Sequence, residues 1–134
     1  MHEKNKALVR QLVDQVINEG ELDLVGELFA PELAEPIRQA FTSFRAAFAD
    51  WREEIVDMVA EGDKVAVRFR CLGTLQGEFM GAKPNGQRQE IDEVFFLRVR
   101  DGRFVEYWGL EDNLERLRQL GAISSIATLP ESSI

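Results

Sequence analysis

Apolar residues recur at helical spacing through the first third of the chain and at alternating spacing through most of the rest. Leu8, Leu12 and Val16 fall on one row and Val9, Val13 and Ile17 on the next. That pattern predicts an amphipathic helix over roughly Glu3 to Asn18, ended by Gly20. Leu22, Val25, Leu28 and Phe29 predict a short second helix, stopped at Ala30-Pro31. A third starts near Pro36, a residue suited to a first helical turn, and carries Ile37, Ala40, Phe41, Phe44 and Phe48 on one stripe. Past Trp51 the period becomes that of strands, expected over Arg52–Glu61, Lys64–Leu75, Gly77–Met80, Gln87–Arg100 and Arg103–Leu110. Glycine-bearing turns separate them at Glu61-Gly62-Asp63, Pro84-Asn85-Gly86 and Asp101-Gly102-Arg103. Asp112 to Leu120 reads as a last short helix with Gly121 as its stop. Ala122 to Ile134 reads as a loose tail, from which Ile123, Ile126 and Leu129 could dock on a neighbour.

Helices first and antiparallel strands afterwards give an α+β domain. The chain of 134 residues fits one domain over residues 1–121, with residues 122–134 as a tail. A curved sheet with helices across its opening makes a cone whose interior side chains need not fill, a place for a small ligand. Charge narrows the partners. Sixteen basic against 24 acidic residues leave a formal charge of −8, which repels nucleic acid and anionic membrane. No apolar run reaches the length of a membrane span, and the polar start Met1-His2-Glu3-Lys4 lacks the core of a signal peptide. The single cysteine, Cys71, fits a reducing cytoplasm and reads as packed strand rather than nucleophile. With His2 as the only histidine, a zinc site has no ligand spacing to rest on, so no metal is expected.

One ordered set of motifs runs through the chain. It comprises Ala60-Glu61-Gly62-Asp63-Lys64-Val65 with Arg68, Gly73-Thr74, Gly77-Glu78-Phe79-Met80-Gly81, Pro84-Asn85-Gly86, Glu106-Tyr107-Trp108, Asp112 and Gln119-Leu120-Gly121. Over about Leu8 to Gly121 this resembles the SnoaL-like polyketide cyclases of the nuclear-transport-factor-2-like superfamily. The resemblance implies a cone-shaped barrel, a homodimer, and a cofactor-independent intramolecular aldol condensation that closes a ring in an aromatic polyketide. It also implies that Asp112, four residues past Trp108, is the general acid/base. The chain departs from the family pattern where histidine is usual: Leu75 follows Gly73-Thr74, and Tyr107 stands between Glu106 and Trp108.

Asp112 is therefore the candidate catalytic residue, since a carboxylate in an apolar hollow has the raised pKa that proton transfer needs. Asp before Asn113-Leu114-Glu115-Arg116 is equally suited to capping a helix. Trp108, Tyr107, Phe95, Phe79 and Trp51 are candidates to hold an apolar or aromatic small molecule, with packed core as their ordinary alternative. Glu93 shares parity with Phe95 and Leu97. Facing the hollow it is a second acid/base or polar anchor; facing out it is one charge on a wet surface. Other readings of the same hollow are a non-catalytic binding or dimerisation module, or an isomerase, dehydratase or epoxide hydrolase.

Overall fold

The computed structural model describes residues 1–123. Helix α1, His2–Gln11, runs directly into a π-helical segment, Leu12–Asn18. Both rows of the predicted pattern meet the core, since Val9, Leu12, Val13, Val16 and Ile17 are all buried. A 3₁₀ turn, Leu22–Leu24, leads into the one-turn α2, Val25–Leu28. Helix α3 spans Pro31–Ala47 and so begins before the expected Pro36. Pro31 takes the first helical position, where a missing N–H costs nothing. Pro36 lies inside the helix on an exposed face, where the carbonyl it leaves unpaired can turn to water.

The sheet is an antiparallel meander of β1 (Arg52–Glu61), β2 (Lys64–Thr74), β3 (Arg88–Arg100) and β4 (Arg103–Glu111), paired in chain order and not closed into a barrel. The expected strand at Gly77–Met80 is not one. Gly77 and Gln76 instead donate to the carbonyl of Ala47 at the end of α3, and a single bridge joins Phe79 to Ala82. Between them Met80 and Gly81 take positive φ, 48° and 84°, which turns the chain back on itself.

Two bulges shape the sheet. In β1 the register jumps between Ile55 and Asp57, leaving Val56 as the extra residue. In β4 Arg98 faces Glu106 while Val99 faces Phe104, so Val105 is the extra residue. Each bulge bends its strand and resets the alternation of faces beyond it. The concave face packs Val65, Val67, Phe69, Cys71, Ile91 and Leu97 against Val9, Val16, Phe29 and Phe48 to form the core. Phe29 pairs with Phe104, and Ala30 N–H donates to the Phe104 carbonyl at 2.9 Å, which fixes the second helix on β4.

Helix α4, Asn113–Gln119, returns across the sheet. Gln119 holds it there: its Oε1 accepts from Glu90 N–H at 2.7 Å and its Nε2 donates to the Glu90 carbonyl at 3.1 Å. Gly121 closes the helix with φ 74°, a conformation that side chains resist. The result is an α+β cone: helices over one face of a strongly bent, unclosed antiparallel sheet. No helix among the described residues is long and apolar enough to cross a membrane. The docking residues expected in the tail, Ile126 and Leu129, lie outside the described residues.

Candidate active site

Helix α3 lies over the concave face without filling it, and a hollow of about 260 Å³ remains. Ile37, Ala40, Phe41 and Phe44 from α3 form one wall; Trp51, Phe95 and Tyr107 form the other. The rings interlock edge to face, Phe41 on Trp51 at 5.5 Å and Phe95 on Tyr107 at 4.8 Å between centroids, the arrangement that aromatic quadrupoles favour. Gly109 makes room for this. The Phe95 ring lies so close to the strand backbone that a Cβ at Gly109 would overlap it. A wider groove between α1 and β1 is lined by Arg10, Asp14, Arg52, Glu54 and Asp57, and its walls are largely charged.

Two carboxylates break the apolar lining, Glu93 from β3 and Glu111 from the end of β4. Behind them lies a buried polar cluster. Glu93 and Glu53 are each 4% exposed, and a carboxylate oxygen of each lies within 4.8 Å of the other and of Cys71 Sγ. Glu53 is held by its surroundings: the Asn18 amide clasps its backbone N–H and C=O at 2.9 and 3.0 Å, and Trp51 Nε1 donates to its Oε2 at 2.8 Å. Its Oε1 is buried with no protein hydrogen-bond donor.

The countercharge is Arg116 of α4, which is 0% exposed. Its guanidinium donates to Glu93 Oε2 at 3.2 Å, Glu111 Oε1 at 2.8 Å, Gln89 Oε1 at 3.1 Å, Cys71 Sγ at 3.6 Å and Asn113 Oδ1. The Phe44 and Phe79 rings lie 5.2 and 5.3 Å from it.

One cation thus serves three acids. Burial, reinforced by the charge of Glu53, pushes Glu93 up to about 10. Burial likewise lifts Glu53 to about 7, against the bonds from its neighbours. The pair therefore retains a proton at neutral pH and titrates as a unit. Burial and the same carboxylates hold the Tyr107 phenol well above its usual range, so it stays a neutral donor. Glu53, Cys71 and Glu93 are close enough together to offer three ligand atoms to a metal. Arg116 already supplies positive charge to two of them, and burial raises the Cys71 thiol far above the range in which it ionises.

Several sequence-predicted site residues lie elsewhere. Asp112 does not line the hollow. It is exposed at the N-cap of α4, where its Oδ1 accepts from Glu115 N–H at 3.1 Å. Trp108 is 52% exposed on the outer face, 6.0 Å from Phe96 between centroids. Both corrections have one physical cause. The shared parity of Phe104, Trp108 and Asp112 assumed an unbroken strand, and the extra residue at Val105 reverses it after Phe104. Tyr107, Gly109 and Glu111 turn inward instead.

Phe79 packs beneath the wall against Phe44 and Phe48 at 5.5 and 5.2 Å rather than lining the hollow. Trp51, Glu93, Phe95 and Tyr107 do line it. Sequence reasoning missed Glu53, Glu111, Gln89 and Arg116. Arg116 had a usable signal, since it stands four residues before the buried Leu120 and thus on its helical row.

Comparison with known proteins places this arrangement. No curated protein matches the sequence. Among solved structures, AclR from Streptomyces galilaeus, provisionally assigned as a hydroxylase, is 28% identical with a TM-score of 0.85, over 99% of this chain and 88% of its own. IdmH from Streptomyces antibioticus, provisionally a polyketide cyclase, is 31% identical with a TM-score of 0.78, over 87% and 98%. TsrD from Streptomyces laurentii is 25% identical with a TM-score of 0.84, over 90% and 97%. The SnoaL-like polyketide cyclase profile matches residues 7–120. Its extent, from α1 through the last turn of α4, takes in the hollow and all the groups behind it, and the chain belongs to the SnoaL-like polyketide cyclase family.

Proposed function

We propose that the protein is a cofactor-independent proton-transfer enzyme acting on a compact aromatic carbonyl compound, with Glu93 as acid/base in place of Asp112. The reaction is the ring-closing aldol condensation implied by the family resemblance, and IdmH, provisionally a polyketide cyclase, is similar in fold and sequence. The same fold carries AclR under a different assignment, so fold alone does not choose the chemistry. One observation carries the reading: a carboxylate that is 4% exposed lines an aromatic hollow and shares its surroundings with a second buried carboxylate.

An aldol closure removes a proton from the carbon beside one carbonyl and delivers one to the oxygen of another. A carboxylate pair holding one proton contains a base and an acid at once. With the shared proton on Glu53, the Glu93 carboxylate takes the carbon proton, the enolate carbon attacks the second carbonyl, and Glu93 returns that proton to the new alkoxide. The pair ends as it began, so the step balances without an oxidant or reductant. Tyr107, a neutral phenol on the wall, donates to the developing oxyanion, and Arg116 keeps the negative charge of the pair from being lost altogether.

The test is turnover of an aromatic poly-β-ketone ester, followed by the absorbance of the closed ring. Glu93→Gln keeps the shape and should lower the rate by about a hundredfold or more while circular dichroism stays unchanged. Asp112→Asn should leave it unaltered. A full rate in the Glu93 variant, with loss in the Asp112 variant, would return the role to Asp112.

The outer face suggests a homodimer. Val94, Phe96, Trp108 and Leu110 stand exposed together on β3 and β4, and an apolar sheet face of this kind is ordinarily covered by a partner.

A further inference from the structure

The polar groups of the hollow all present oxygen. Glu93 and Glu111 contribute carboxylates and Tyr107 a phenol, and among the described residues no lysine or arginine lines the space. The donors nearby are already committed. A guanidinium has five N–H groups, and Arg116 directs its donors to Gln89, Glu111, Asn113, Cys71 and Glu93. Trp51 Nε1 is committed to Glu53. An anionic ligand group would therefore meet carboxylates with little but the Tyr107 hydroxyl to receive it.

A cation meets the reverse. Glu53, Glu93 and Glu111 outnumber Arg116, so the cluster stays negative even while its buried pair holds a proton. Phe41, Phe95 and Tyr107 add ring faces that attract positive charge. The whole chain, at −8, draws cations toward it as well.

We infer that the hollow takes a compact aromatic ligand carrying a protonated amine, seated between Glu93 and Glu111, and turns away ligands that are anionic. The inference rests on reading this hollow as the substrate site and adds the charge of the substrate to it.

Three bicyclic probes of one shape separate the possibilities: 2-naphthylmethylammonium, 2-naphthylmethanol and 2-naphthoate, titrated calorimetrically into the full chain at neutral pH. The ammonium should bind at least tenfold more tightly than the alcohol, with the naphthoate weakest. Glu111→Gln should bring the ammonium and the alcohol within about threefold of each other. Equal binding of the three in wild-type protein, tighter binding of the naphthoate, or no binding of the ammonium at millimolar concentration would each overturn the inference. None of the probes has a carbonyl with an enolisable neighbour. Binding selectivity is therefore read independently of catalysis, and an inactive protein that still prefers the ammonium would sink the proposed reaction while leaving this inference intact.

Discussion

The two faces of β3 and β4 invert the usual order of a protein. The concave face buries Gln89 and Glu93 and is closed by Arg116, whereas the convex face exposes Val94, Phe96, Trp108 and Leu110 to solvent. Charge inside and apolar surface outside are each unfavourable on their own. The inner arrangement is tolerable because five bonds satisfy one guanidinium and a retained proton relieves the acids. The outer one has no such internal remedy among the described residues, none of which covers it. On the proposed reading the inner face is arranged around chemistry and the outer face around association.

The largest expected effect breaks the inner face. Arg116→Met removes the only buried cation of the cluster and should destabilise the fold by about 3–5 kcal/mol in urea unfolding near pH 8. The loss should shrink near pH 5, where Glu53 and Glu93 both hold protons. A loss equal at both pH values would mean that Arg116 acts by packing alone.

Next comes the pH dependence of the wild type. Glu53 and Glu93 have folded pKa values near 7 and 10 against an ordinary 4.5, so the native state holds protons that the unfolded chain releases. Their stabilising contribution is complete below about pH 4.5 and is lost as pH climbs through 7 for Glu53 and toward 10 for Glu93. Each differentially held proton changes stability by about 1.4 kcal/mol per pH unit. Unfolding free energy should therefore fall between pH 5 and 7.5 by roughly 3–5 kcal/mol, allowing for coupling within the pair. Glu93→Gln should flatten the slope, and a flat wild-type profile would remove the shared proton from the account.

Asp112 gives a smaller effect. Asp112→Ala should cost about 1 kcal/mol through the lost cap, and Asp112→Asn only a few tenths. The smallest effect on the folded chain lies outside. Phe96→Ser should change monomer unfolding by less than about 0.5 kcal/mol, yet sedimentation should move from dimer to monomer. A wild-type monomer at micromolar concentration would leave the convex face unexplained.

The fold was legible in the sequence because its signals are periodic and local. The helical rows from Leu8 to Ile17, the two-residue period after Trp51 and the glycine turns all survive into the structure. The strand expected at Gly77–Met80 failed because Gly77 pairs with the end of α3, a contact that no local pattern announces. Alternation placed Glu93 on the same face as Phe95 and Leu97, but not which face that was. Arg116 and Glu53 are brought together by α4 and β1 from opposite ends of the sheet, so their meeting is tertiary. Trp108 and Asp112 went wrong for one local reason, the extra residue at Val105, which leaves no mark in composition.

That residue has a wider consequence. Point substitutions alter a binding surface one side chain at a time. Removing Val105 would join Phe104 to Glu106 in unbroken alternation and keep every pairing beyond, whereas taking Val105 into the ladder would exchange whole sets of neighbours, sending Tyr107 and Glu111 outward and Trp108 and Leu110 inward. Whether this one residue is looped out or paired thus decides half a wall in one step. A relative that pairs its residue here, where this chain loops it out, would present a changed wall and a changed outer face together.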